Sequence, residues 1–148
     1  MATPVLQRVR QIMQSSLTSK GFDRLAKTVE LLSLQEGKAS FKMKVDESHL
    51  NGVGTLHGGM TAFLVDNLTT GTVLTKPPHL PGVSIDMSIS YLRAAPVGDE
   101  ISIYAEVVKM GRTLAFTSAE LLNKDGKLLA KASHTKFIGQ SSPAIKTE

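Results

Sequence analysis

Met60-Thr-Ala-Phe-Leu-Val-Asp-Asn-Leu-Thr-Thr-Gly-Thr-Val-Leu74 is the stretch on which the architecture turns. Its apolar members, Met60, Phe63, Leu64, Val65, Leu68, Val73 and Leu74, cover more than half of a helical circumference. A helix lying on a surface needs one apolar stripe, whereas a helix apolar on most sides must be wrapped. The stretch therefore predicts a central, buried helix. Before it, residues 46–59 are polar and glycine-rich; after it, Pro77, Pro78 and Pro81 cannot continue a helix and predict a loop.

Outward from this helix the periodicity changes. Val5, Leu6, Val9, Ile12, Met13 and Leu17 recur at helical spacing, so residues 4–20 read as an N-terminal helix that stops at Gly21. Residues 28–33 and 39–45 are strand-like runs around Gln35-Glu-Gly-Lys38 and predict a hairpin. From Val83 the period is two: Val83, Ile85, Met87, Ile89 and Tyr91 point one way, Ser84, Asp86, Ser88 and Ser90 the other. Ile101, Ile103, Ala105 and Val107 alternate likewise after the turn Pro96-Val-Gly-Asp99. Strands at 113–123 and 127–137 flank Lys124-Asp-Gly126, a hairpin turn with a glycine free to take positive φ. Residues 139–148 read as a flexible tail. Helix, hairpin, buried helix and four consecutive strands make an α+β fold, an antiparallel sheet wrapped around a long central helix, in a single domain over residues 1–148. Such a sheet keeps an exposed edge or face, which predicts dimerisation.

Bulk properties narrow the function. The chain has no cysteine, so disulfides, thiolate metal sites and a cysteine nucleophile are excluded. With no Trp, two Tyr and five Phe, it is poorly equipped to stack bases, and no nucleic-acid partner is expected. Seventeen basic against 13 acidic residues give a net charge of +4 that fits an anionic small ligand at least as well as a polymer. No segment approaches the apolar length of a membrane span, and the N-terminus lacks a secretory signal. Residues 1–20 carry Arg8, Arg10 and Lys20 and no acid, the composition of a weak mitochondrial presequence or of an amphipathic helix, so the expected location is cytoplasmic, mitochondrial or both.

One constellation could carry chemistry. His57-Gly58-Gly59 stands immediately before the buried helix, where unpaired backbone amides bind a negative oxygen and glycine lets a carbonyl approach. Those amides could form an oxyanion hole, or the glycines could make only a tight entry turn. Asp66 lies two turns into the helix among Phe63, Leu64, Val65 and Leu68, where a carboxylate is costly unless paired or used. Ser84 and Asn51 are each unremarkable alone, as a serine on a polar strand face and an Asn-Gly turn. His49, His79 and His134 lack metal-ligand spacing, so no metal is expected. Serine-elbow, phosphate-loop and dinucleotide motifs are absent from the sequence. Arg93, Lys109, Arg112, Lys124, Lys127, Lys131 and Lys136 gather charge in the C-terminal half, as a solvated face or a phosphate-binding rim.

Through Asn51-Gly-Val-Gly-Thr-Leu-His-Gly-Gly59, Val65-Asp-Asn67, Gly82-Val-Ser-Ile-Asp-Met87 and Gly111-Arg-Thr-Leu-Ala-Phe-Thr-Ser118, the chain resembles the small hotdog-fold acyl-CoA thioesterases of the phenylacetyl-CoA thioesterase group, of the thioesterase superfamily member 2 type. The resemblance runs from the N-terminal helix to His134-Thr-Lys136, with departures after Phe137 and near Lys124-Asp125. It implies hydrolysis of medium- to long-chain fatty acyl-CoA. The Gly58 amide and Asn51 would polarise the thioester carbonyl, Asp66 from a partner subunit and Ser84 would hold and activate water, or Asp66 would itself attack through a transient anhydride, and His57 would support that arrangement and the leaving thiolate. It further implies coenzyme A contacts at Glu47 and Ser84, along Tyr91, Leu92, Arg93, Ala94, Ala95 and Pro96, and along Lys109, Met110, Gly111, Arg112, Thr113 and Leu114. A homotetramer of two dimers and association with a phosphatidylcholine-transfer protein are also implied. No cofactor is expected, coenzyme A being part of substrate and product. A non-catalytic acyl-CoA or lipid-binding module could use the same groove without needing Asp66; a hydratase would need a histidine and acid pair that His57 alone does not supply.

Overall fold

The computed structural model describes residues 3–143. Helix α1 (Pro4–Leu17) leads through a 3-10 turn (Phe22–Ala26) into a hairpin of β1 (Glu30–Gln35) and β2 (Lys38–Lys44). A second 3-10 turn (Glu47–His49) precedes the long helix α2 (Gly58–Val73), and β3 (Val83–Tyr91), β4 (Glu100–Met110), β5 (Leu114–Leu122) and β6 (Leu128–Phe137) follow. Every strand pairing is antiparallel, and the spatial order is β1-β2-β4-β5-β6-β3. The two edges are thus β1 and β3.

The apolar circumference of α2 is met by the sheet. Phe41 and Met43 of β2, Ile101 and Ile103 of β4 and Ala119 and Leu121 of β5 share one core with Leu64, Val65 and Leu68. Buried threonines on α2 remain satisfied because the hydroxyls of Thr69 and Thr72 donate to the carbonyls of Val65 and Leu68, one turn back. Helix α1 lays Val9 and Met13 on this core, and Gly71 of α2 leaves room only for the Met13 side chain. That helix ends earlier than the sequence pattern suggests: Gly21 starts the following 3-10 turn instead of closing α1. The side chain of Leu17 and residues 144–148 of the expected tail lie outside the described residues. Just before the expected tail Ile138 is buried with Val73 and Ala115, and within it the Ser142 hydroxyl donates to the Phe137 carbonyl at 3.1 Å.

The period-two reading of β3 is corrected at its first two residues, Val83 and Ser84. Tyr91, Ile89 and Met87 pair with Ala130, Ala132 and His134, all buried, so the three share one face of β3 with them. A bulge between Ser84 and Asp86 then shifts the register, and Ser84 pairs with buried Lys136. The extra residue turns Ser84 onto the face of Met87, opposite to the strict alternation. Gly82 sets the entry to this bulge at φ +68°, and a Cβ there would stand 2.6 Å from the Phe137 carbonyl oxygen. Gly82→Ala should therefore cost more than about 1 kcal/mol and lower the melting temperature by several degrees, measured by thermal denaturation.

Candidate active site

The connection into α2 is built by side-chain hydrogen bonds. Asn51 accepts the amides of Val53 and Thr55 on Oδ1, both at 3.1 Å, and donates from Nδ2 to the Thr55 hydroxyl at 2.9 Å. One Nδ2 proton is left over. His57 caps α2: its Nδ1 accepts the Gly59 amide at 2.7 Å, which places the proton of the neutral ring on Nε2. The expectation of two free glycine amides is thereby corrected, because Gly59 is engaged and Gly58, first residue of the helix, keeps the amide without an intrahelical acceptor. Tyr91 closes this end, donating from its hydroxyl to the Gly58 carbonyl at 3.0 Å.

Asp66 lies eight residues further along α2, a rise of about 12 Å. Its side chain is 53% exposed, which corrects the expectation that its apolar sequence neighbours bury it; those neighbours face the core while Asp66 opens into a cleft. That cleft, of about 510 Å³, carries Asp66 and Lys136 beside an apolar wall of Phe22, Ala62, Phe63 and Met87. Phe22 meets Phe63 edge to face, with ring centroids 5.2 Å apart. The inward turn of Ser84 brings its hydroxyl 3.3 Å from Asp66 Oδ1 within the same chain.

Sequence reasoning missed two residues of this cluster. His134 Nε2 lies 2.9 Å from Ser84 Oγ and 3.8 Å from Asp66 Oδ1, while its Nδ1 lies 2.7 Å from the Thr69 hydroxyl. Lys136 Nζ donates to Ser84 Oγ at 3.5 Å. Burial, followed by the neighbouring Lys136 charge, holds His134 below its ordinary value against the pull of Asp66 and Asp86. Burial likewise lowers Lys136, with Asp66 opposing. The available signal was positional, in that His134 and Lys136 continue the inward alternation of Ala130 and Ala132. His49 and His79 are structural: His49 Nδ1 accepts the Asp46 amide, and His79 donates to the Leu74 carbonyl at the end of α2.

The remaining expected contacts fall into two groups. Tyr91–Pro96 lies against the Asn51 loop, where Leu56 donates its amide to the Ala95 carbonyl at 2.8 Å and Thr55 bridges to Pro96. Exposed Glu47 belongs to this end through the adjoining 3-10 turn. Ala95 is 2% exposed, and its carbonyl supports the loop. The hairpin carrying Lys109, Met110, Gly111, Arg112, Thr113 and Leu114 lies at the other end, joined by Leu114 to Phe137 and so to Val83. Within one chain the structure brings together Asp66, Ser84 and the Lys109–Leu114 hairpin, and separately Asn51, His57, Gly58 and Tyr91–Pro96.

The helix wrapped by one antiparallel sheet defines a hotdog-fold protein, and comparison with known proteins agrees. Residues 53–130 match the family model described as thioesterase superfamily. Acyl-coenzyme A thioesterase 13 of Homo sapiens is 45% identical over 93% of this chain and 99% of its own length. The crystal structure of zebra fish thioesterase superfamily member 2 superposes with a TM-score of 0.88 at 48% identity, covering 93% of this chain and 100% of that one. A hypothetical thioesterase protein of Streptococcus pneumoniae TIGR4, solved with coenzyme A, gives a TM-score of 0.72 at 32% identity over 78% of this chain and 90% of that one. The chain belongs to the thioesterase superfamily.

The environment of His134 has a consequence for stability. Its folded value lies below the ordinary 6.5, so on acidification the unfolded chain takes up this proton first. The associated stability is complete above about pH 6.5 and is lost as pH falls below it towards the folded value. His134→Gln should flatten the fall in melting temperature between about pH 7 and about pH 5, read from thermal denaturation of both proteins across that range.

Proposed function

We propose that this thioesterase hydrolyses medium- to long-chain fatty acyl-CoA to free fatty acid and coenzyme A by direct attack of a water activated by Asp66. The carrying observation is the carboxylate of Asp66, backed by Ser84 and Lys136, at the polar end of a cleft whose wall of Phe22, Ala62, Phe63 and Met87 suits an acyl chain. Asp66 takes a proton from water as the water oxygen bonds to the thioester carbon. The carbonyl oxygen gathers negative charge and meets the Gly58 amide and the spare Asn51 Nδ2 proton. Collapse of the intermediate breaks the C–S bond, with His57 Nε2–H on the leaving side, and the proton held by Asp66 passes through solvent to the departing thiolate, which restores the base. The pantetheine and phosphates of coenzyme A run along the exposed residues of Tyr91–Pro96, with Glu47, and along the Lys109–Leu114 hairpin, where Lys109 and Arg112 supply positive charge. No cofactor takes part.

The groups on the carbonyl and those on the water come from different copies of the chain. Val83, Ile85 and Tyr91 of edge strand β3 are 49%, 54% and 57% exposed, an apolar edge suited to a second copy. Antiparallel pairing of β3 with itself about a two-fold axis sets the Ser84 end of one copy beside the Tyr91 end of the other. Asn51 and Gly58 of one protomer then face Asp66 and Ser84 of its partner. Two such dimers make the proposed tetramer.

A panel of acyl-CoA esters from short to long chain, followed by thiol release, tests the reaction. The parent should prefer the longer chains, and Asp66→Asn should lower kcat by about 10²- to 10⁴-fold while still binding acyl-CoA. Turnover by Asp66→Asn at the parent rate would refute the assignment, and a parent that binds acyl-CoA without hydrolysing it would establish a non-catalytic carrier. Mixing subunits tests the shared site. Asn51→Ala and Asp66→Asn proteins, each inactive, should recover about a quarter of parental activity when co-refolded in equal amounts, because half the dimers then hold one intact site. No recovery would place both halves in one chain.

A further inference from the structure

A chain of hydrogen bonds runs from the buried backbone of α2 to the exposed carboxylate of Asp66. The Thr69 hydroxyl lies 2.7 Å from the Val65 carbonyl and 2.7 Å from His134 Nδ1. His134 Nε2 lies 2.9 Å from Ser84 Oγ, which lies 3.3 Å from Asp66 Oδ1. Four contacts thus join two terminal acceptors, a carbonyl and a carboxylate, and each needs one proton. A neutral imidazole and two hydroxyls supply three. One contact must go unmade, and the longest, between Ser84 and Asp66, is the one the geometry leaves open.

We propose that Thr69 and His134 are positioning residues that keep this chain one proton short, so that the proton Asp66 removes from water completes it. In the resting state His134 carries its proton on Nδ1, donating to Thr69, which donates to Val65; Ser84 donates to His134 Nε2 and accepts from Lys136. The Asp66 carboxylate then has no proton from Ser84 and is free to receive one from water. When the water O–H bond breaks and its oxygen bonds to the thioester carbon, the new Asp66 O–H donates to Ser84 Oγ. All four contacts are then made. The protonated base gains a hydrogen bond that the resting carboxylate lacks, which favours the products of proton transfer and therefore the transition state. Burial and the Lys136 charge, which hold His134 neutral, maintain the shortage against the attraction of Asp66 and Asp86. The proposal rests on Asp66 as the base.

Nitrogen-15 NMR of the imidazoles in the full-length protein at about pH 7.5 reads the chain without reference to activity. His134 should show a protonated Nδ1 and an unprotonated Nε2; the Nε2–H tautomer, or an imidazolium, overturns the proposal. Kinetics supply the second arm. Thr69→Val should lower kcat about tenfold or more with KM changed by less than about twofold, and Thr69→Ser, which restores a hydroxyl, should recover most of the loss. A parental kcat in Thr69→Val, or a Thr69→Ser variant as slow as Thr69→Val, counts against it. The two proposals fail separately: an active Asp66→Asn removes the base, whereas an inactive Asp66→Asn beside a fully active Thr69→Val removes only the chain. Should Thr69→Val not fold, the parent tautomer and Thr69→Ser still decide.

Discussion

The enclosure of α2 by the sheet is the constraint from which the site follows. Leu64 and Val65 are fully buried, and each apolar side chain of this kind contributes roughly 1.5–3 kcal/mol when removed from water. A helix held from several sides cannot rotate without exposing part of that surface. One stripe, through Gly59, Phe63, Asp66 and Thr70, is left to line the cleft. The direction of Asp66 is therefore set by residues that take no part in the chemistry. The carboxylate stands in water while its helix stands in the core, and this reconciles an acid in an apolar sequence with its half-exposed side chain.

Helices and hairpins were legible in the sequence because period and glycine position report them directly. The hairpin glycines Gly37 and Gly126 indeed take positive φ. The bulge in β3 was not legible. Val83 to Tyr91 alternates without a break, and a strict reading sends Ser84 to the face of Asp86 and Ser88. The contrary facing comes from β6, whose inward residues Lys136 and His134 pair with Ser84 and Met87, and from the close approach of Gly82 to Phe137. Cross-strand register is a property of two segments 50 residues apart, and periodicity within one cannot supply it. The importance of His134 was hidden for the same reason: alone it lacks metal-ligand spacing, and only Ser84 and Thr69, from two other elements, give it partners.

Separation of the two halves also has a physical origin. An oxyanion donor is best placed where a helix begins, because the amides there lack acceptors. Asp66 cannot share that position, since a charge beside the Gly58 amide would occupy the donor that the proposed mechanism assigns to the carbonyl. Eight residues of helix keep the two from neutralising each other within a chain. An antiparallel two-fold pairing along β3 would reunite them on either side of one thioester, the carbonyl oxygen towards one protomer and the water towards its partner. The apolar exposure of Val83 and Ile85 at that edge and the placement of the site would then be one feature.

Lys136 gives the cluster its electrostatic sign. A buried cation beside a carboxylate ordinarily reads as an ion pair that would blunt a base. Here Lys136 donates to Ser84 and lies along the same cleft wall as Asp66, and its charge also disfavours a proton on His134. Without that charge, and with Asp66 3.8 Å away, the imidazole would take up a proton more readily and supply Ser84 with the fourth hydrogen of the chain. Ser84 would then donate to Asp66 in the resting state, and the carboxylate would lose affinity for the proton of water. One positive charge on the amine thus stands in place of a mobile one on the imidazole. In the proposed chain the first leaves the proton-accepting position empty; the second would fill it.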